Sequence, residues 1–167
     1  VGLLNELKKI NETEIFIGAG VSCAKAAHFS AKHGLEGIEF LAGIPGTIGG
    51  ALAMNAGAYG GEIWSYIKEV ETINRKGKRE IFEKDKFDIN YRSVSISENE
   101  WFIACKMKLE ISTRTIVSDR IKKMLSERAN GQPLGKLSCG SVFRNPTNQH
   151  AAKLIELCGL KGKKVGG

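Results

Sequence analysis

The sequence predicts an α+β fold, and three observations carry that prediction. Three β-prone runs follow one another: Lys68–Gly77 (KEVETINRKG), Arg79–Phe87 (REIFEKDKF) and Glu100–Ile111 (EWFIACKMKLEI). Strands in series of this kind build an antiparallel or mixed sheet, not repeated strand–helix–strand units. Helical patterns flank these runs, one after Ser22 and one after Ser118. Between them, Leu41–Gly61 reads LAGIPGTIGGALAMNAGAYGG, with seven glycines and five alanines in one stretch.

The elements follow in order. Residues 3–10 read as the end of a short helix. Glu14–Ile17 (EIFI) is apolar and β-prone, and Gly18-Ala19-Gly20 breaks it. Ser22 is a suitable N-cap for a helix that runs to Gly34, its C-cap. This strand–glycine–helix unit lacks the third glycine of GxGxxG, so a Rossmann dinucleotide turn is not indicated. Ile48–Asn55 predicts a helix of very small side chains, packed close to a neighbour. Ser118–Asn130 (SDRIKKMLSERAN) opens with a capping sequence, carries an apolar stripe of Ile121, Met124 and Leu125, and stops at Gly131-Gln132-Pro133. A domain boundary is placed near Pro133, giving units 1–132 and 133–167. Ala151–Cys158 predicts a last short helix.

The totals narrow the classes. A chain of 167 residues, 42% hydrophobic and 26% charged, has the composition of a soluble globular protein. No run of eighteen apolar residues is present, so no membrane span is predicted. Cys23, Cys105, Cys139 and Cys158 show no CxxC and no paired spacing, which suits free thiols in a reducing cytoplasm. No metal-ligating cluster is read from the sequence. The net charge of +7 could serve nucleic acid or an anionic small molecule. Its lysines are dispersed and aromatics are 7% of residues, too few for a stacking platform, so a nucleic-acid partner is not expected.

Each motif has a chemical reading. A stretch almost free of side chains lets backbone approach a flat or charged ligand closely, and glycine supplies bare N–H groups and positive φ angles. Gly46, Gly49 and Gly50 are the candidate donors to a pyrophosphate. A tight helix–sheet contact is the other use of such glycines. Arg92, after Tyr91 in the segment Asn90–Val94 (NYRSV), is either a surface charge or a carboxylate clamp. Ser141, in Ser138–Pro146 (SCGSVFRNP), is no hydrolase nucleophile, because no GxSxG elbow surrounds it.

These segments, taken together with AAKLIELCGLKGKKVGG, resemble the bacterial UDP-N-acetylenolpyruvoylglucosamine reductase family (UDP-N-acetylmuramate dehydrogenases) of the shorter type, along nearly the whole chain. The resemblance implies an FAD-binding domain of the vanillyl-alcohol-oxidase/PCMH type over 1–132, with a mixed sheet and flanking helices. It implies that 133–167 begins a C-terminal substrate-binding domain. It also implies FAD and NADPH as cofactors and a UDP-sugar as substrate. By position, Ile44, Pro45, Gly46, Gly49, Gly50, Met54 and Tyr59 would lie against the flavin. Tyr91, Arg92, Gly140 and Asn145 would bind substrate. Arg92 would hold the enolpyruvyl carboxylate and Ser141 would protonate C2. Arg144 lies beside this motif and could as easily face solvent.

The pattern departs from the family in three places. The family's first flavin-binding segment is not matched at the start of the chain. Its catalytic carboxylate is not matched at the end, and Glu62 and Glu156 occupy other positions. Some relatives carry a lysine where this chain has Gly131 and Gln132. The expectation is a chain truncated at both ends. Its alternative reading is a flavin-binding unit without catalysis of its own, and a basic nucleic-acid-binding module is the third.

Overall fold

A computed structural model describes residues 4–131 and 142–164. In chain order the elements are β1 (Leu7–Lys9), β2 (Glu14–Gly18), α1 (Cys23–Lys32), β3 (Leu35–Glu36), α2 (Ile48–Ala53), β4 (Gly57–Ala58), β5 (Gly61–Glu62), β6 (Ile67–Asn74), β7 (Arg79–Glu83), β8 (Ile89–Asn90), β9 (Ser93–Val94), β10 (Glu100–Lys108), β11 (Glu110–Ile111), α3 (Arg114–Gly131) and α4 (Ala151–Leu157).

The main sheet has the order β1-β2-β10-β6-β7, and every pairing in it is antiparallel. Long β10 lies at its centre because its residues alternate Phe102, Ala104 and Lys106 with Ile103, Cys105 and Met107, and most are buried. Cys105 and Met107 sit opposite Ile17 and Ile15 of β2, so one face of the sheet is apolar. Helix α2 packs on that face through Ile48 and Leu52, and Cys23, Ala26, Ala27 and Ala31 of α1 and Val117 and Ile121 of α3 join the same core. Small residues on α1 let it approach closely. Each fully buried Ile or Leu contributes roughly 1.5–3 kcal/mol. Trp64 is buried against Phe87 and Phe102, and its indole N–H donates to the Leu52 carbonyl at 2.7 Å.

The opposite face is charged. Lys68 bonds Glu14 at 2.6 Å, Lys106 pairs with Glu69 at 2.7 Å, and Lys8 lies over the Phe16 ring.

Two expectations change. Residues 7–9 form a strand, not a helix end: pairing with β2 (Leu7↔Ile17, Lys9↔Ile15) overrides the helical propensity of Leu and Lys. Helix α3 begins one turn before Ser118, because the Thr113 hydroxyl accepts the Ile116 N–H at 3.3 Å and serves as the cap. Ser22 does cap α1, accepting from the Lys25 amide at 3.2 Å, and Gly34 follows the helix at φ 64°. The expected boundary at Pro133 lies outside the described residues.

Candidate active site

The glycine-rich stretch is laced to the first strand–helix turn. The Cys23 amide donates to the Gly46 carbonyl at 3.1 Å, Ile48 N–H to Val21 at 2.8 Å, and Gly49 N–H to Ala19 at 2.9 Å. A Cβ on Gly49 would lie 3.0 Å from the Ala19 Cβ. The amide of Gly49 is therefore occupied, and its lack of a side chain serves close packing. This corrects its reading as a pyrophosphate donor. Gly46 is different: it has φ 118°, and a Cβ there would meet nothing within 4 Å.

Helix α2 buries Ile48, Ala51 and Leu52 and turns Gly50, Ala53 and Met54 outward. Pro45 and Gly46, just before the helix, are exposed as well, and Ile44 is half-buried. The Gly50 amide is bonded only weakly, by the Thr47 hydroxyl at 3.5 Å.

Asn55 ends α2 in the left-handed conformation, φ 41°. The β4–β5 hairpin follows, with Tyr59 and Gly60 as its two turn residues, both at positive φ as a type I′ turn requires. Tyr59 is half exposed, and its hydroxyl donates to the Met124 carbonyl at 2.7 Å, tying the hairpin to α3.

Tyr91 and Arg92 form the turn of a second hairpin, β8–β9, with Arg92 at φ 56°. The Arg92 Nη1 donates to the Asn55 carbonyl at 2.9 Å, and its Nη2 to the Gly57 carbonyl at 2.6 Å. Its guanidinium carbon lies 4.8 Å from the centre of the Tyr91 ring. Arg144 does not face solvent alone: its Nη2 donates to the Arg92 carbonyl at 3.2 Å. The Asn145 side chain accepts the Ala151 N–H at 3.0 Å and so steadies the start of α4. Gly140 and Ser141 lie outside the described residues.

The structure thus brings Tyr91 and Arg92 against the end of α2 and the first strand of the Tyr59 hairpin. It also brings in two residues the sequence reading passed over. Asn55 is almost wholly buried, and its Nδ2 donates to Glu62 Oε2 at 2.9 Å and to the Asn90 carbonyl at 3.1 Å. Glu62 Oε1 stands 3.9 Å from Arg92 Nη1. The available signal was an Asn between a helix and a glycine, a common left-handed stop.

A separate cavity of about 400 Å³ lies between the Tyr59 hairpin and α3, lined in part by Glu36, Glu39, Glu110, Tyr66 and Arg120. Arg120 Nη1 meets Glu36 at 2.8 Å and Glu39 at 3.3 Å. Burial, and then the nearby carboxylates, push the Tyr66 hydroxyl upward from its ordinary pKa. Three carboxylates against one guanidinium make this cavity a poor host for a phosphate.

Burial pushes the Cys23 thiol up to about 11 and the Cys105 thiol higher still, so neither is a nucleophile at neutral pH. No described helix is long and apolar enough to cross a membrane.

Comparison with known proteins places these motifs. Residues 1–82 match the family model described as FAD binding domain. Residues 132–167 match that described as UDP-N-acetylenolpyruvoylglucosamine reductase, C-terminal domain. UDP-N-acetylenolpyruvoylglucosamine reductase of Legionella pneumophila strain Corby is 48% identical over 166 residues, covering 99% of this chain and 54% of the relative. That of Nitrosococcus oceani is 45% identical over 166 residues, covering 99% and 56%. The crystal structure of UDP-N-acetylenolpyruvylglucosamine reductase (MurB) from Thermus caldophilus superposes with a TM-score of 0.83 at 32% identity, covering 90% of this chain and 56% of that one. The chain therefore spans about half the length of the curated relatives it matches. Over the part it spans, the chain is similar along nearly its whole length to UDP-N-acetylenolpyruvoylglucosamine reductases.

Proposed function

We propose that this chain carries the flavin face and the carboxylate-binding arginine of an NADPH-dependent reductase. That enzyme converts UDP-N-acetylglucosamine enolpyruvate to UDP-N-acetylmuramate, a precursor of peptidoglycan. One observation carries the reading: the Arg92 guanidinium is held by two backbone carbonyls of the same glycine-rich stretch whose outer surface is bare.

The residues present suit FAD. Pro45, Gly46, Gly50 and Met54 are exposed residues without branched side chains; a Cβ added at Gly46 would meet open space, and one at Gly50 only the Thr47 hydroxyl, at 3.9 Å. Ile44 precedes these residues in the chain, and Tyr59 follows them in the β4–β5 turn. A bound flavin supplies hydride transfer from a nicotinamide to a carbon–carbon double bond.

The chain's own residues manage charge and protons. A guanidinium has five N–H donors. Two of Arg92's go to Asn55 and Gly57, which leaves three for a substrate carboxylate. As the enolpyruvyl double bond is reduced, negative charge spreads onto that carboxylate, and a fixed cation lowers the barrier. Tyr91 and Asn145 border the same site, and Gly140 adjoins the proton donor. The Ser141 hydroxyl delivers a proton to C2; a hydroxyl is a weak acid, but a strongly basic enolate needs no stronger one.

An anaerobic spectrum of the purified protein tests this reading. The account expects flavin absorbance that bleaches with NADPH and returns on addition of the enolpyruvyl UDP-sugar. Flavin that bleaches and never returns favours a flavin-binding unit without turnover. A colourless protein that gains no flavin from added FAD contradicts the reading.

A further inference from the structure

We infer that Glu62, acting through Asn55, is the positioning residue of Arg92: it fixes the direction in which the guanidinium offers its unused N–H groups. The inference rests on the reading of Arg92 as a carboxylate-binding group and assigns the residues that aim it.

The contacts form a closed circuit. Glu62 Oε2 accepts from Asn55 Nδ2 at 2.9 Å. The Asn55 backbone carbonyl accepts from Arg92 Nη1 at 2.9 Å. Arg92 Nη1 returns to Glu62 Oε1 at 3.9 Å. The Asn90 carbonyl, beside the Arg92 turn, takes the second N–H of the Asn55 amide at 3.1 Å. One buried amide thus joins the end of α2, the β4–β5 hairpin and the β8–β9 hairpin.

Two features show that this geometry is held against local cost. Asn55 and Arg92 both sit at positive φ, where non-glycine residues are strained. Asn55 Oδ1 is buried with no hydrogen-bond partner among the described residues. A buried acceptor left unpaired is unfavourable. An amide chosen for its own hydrogen bonding would turn this oxygen to a donor; here both N–H groups are committed to Glu62 and Asn90 instead. The position serves orientation.

Glu62 contributes in two separable ways. Its carboxylate accepts from Asn55, a task a Gln side chain also performs. Its charge attracts Nη1, a task Gln does not perform. The circuit occupies Nη1, and Gly57 takes one N–H of Nη2, so Nε and the second N–H of Nη2 are the groups left for an anion.

The test uses the whole chain with ¹⁵N-labelled arginine. The Arg92 side-chain signal is the one lost in Arg92→Lys. The rate of guanidinium rotation is then read from exchange between its two Nη signals. Glu62→Ala is expected to speed that rotation about tenfold, the scale of one charge-assisted hydrogen bond. Glu62→Gln is expected to speed it by less, since the acceptor for Asn55 survives. An alanine variant with an unchanged backbone fingerprint and unchanged rotation overturns the inference. If the alanine variant does not fold, the glutamine variant decides: faster rotation supports the inference and unchanged rotation overturns it. Titration of the unsubstituted chain with the enolpyruvyl UDP-sugar separates the two readings. An Arg92 signal indifferent to that ligand, with the Glu62 effect intact, refutes the carboxylate role of Arg92 and leaves Glu62 as its orienting group.

Discussion

The Arg92 guanidinium donates to the carbonyl of Gly57 at 2.6 Å, so the turn of one hairpin is joined to the first strand of another, 35 residues earlier, at one glycine. A Cβ on Gly57 would press well inside contact with the Gly61 carbonyl, meet the Glu62 side chain at 3.0 Å and Arg92 Nη1 at 3.2 Å. Gly57→Ala is therefore expected to lower stability by about 1–3 kcal/mol, the cost of an overpacked site, as read from urea unfolding. An unchanged midpoint would show that the hairpin yields freely.

Neighbouring glycines of α2 should respond differently. Gly49 has Ala19 against it, whereas a Cβ on Gly50 meets only the Thr47 hydroxyl at 3.9 Å. Gly49→Ala should lower the unfolding midpoint. Gly50→Val should leave it within about 1 kcal/mol, the range of helix propensities, while reducing flavin retained on gel filtration. Equal flavin content in the Gly50 variant and the parent would count against this surface as the flavin face.

Arg92→Lys keeps the charge but loses the planar fork that reaches both carbonyls. Rapid-mixing measurements should show flavin reduction by NADPH near the parent rate and reoxidation by substrate slowed about 10²–10³-fold, as for loss of one charge-stabilising donor. Ser141→Ala should show the same split. Slowed reduction by NADPH in either variant would remove that residue from the second half-reaction.

On the charged face of the sheet, the hydrogen bond from Lys68 holds the Glu14 carboxyl below its ordinary pKa. A carboxyl depressed in the folded state adds stability above its unfolded pKa and loses it as pH falls through the folded value. Glu14→Gln should cost about 1 kcal/mol or less at pH 7, since Lys68 is half exposed. The gap between parent and variant should close below about pH 4. A gap independent of pH would assign the cost to packing.

Much of this was legible in the sequence where local chemistry decides. Ser22 and Gly34 mark a cap and a helix end whose signals are short-range, and the three β runs mark themselves by their β-prone composition. The strand at Leu7–Lys9 was not legible, because its conformation is set by β2, not by its own residues. The start of α3 was misplaced because Thr113 and Ser118 are both competent caps, and only burial of Val117 selects the first. Gly49 was read as a donor because a sequence does not show which amides are already bonded. Glu62 was set aside for a related reason: its partner Asn55 lies seven residues away, across a hairpin whose register only the fold reveals.

A crystal structure with FAD and the enolpyruvyl UDP-sugar bound tests the central claim most directly. The account predicts the isoalloxazine ring against Gly46, Gly50 and Met54, with the substrate carboxylate within hydrogen-bonding distance of Arg92. A flavin seated on another surface, or a carboxylate bound away from Arg92, would contradict it.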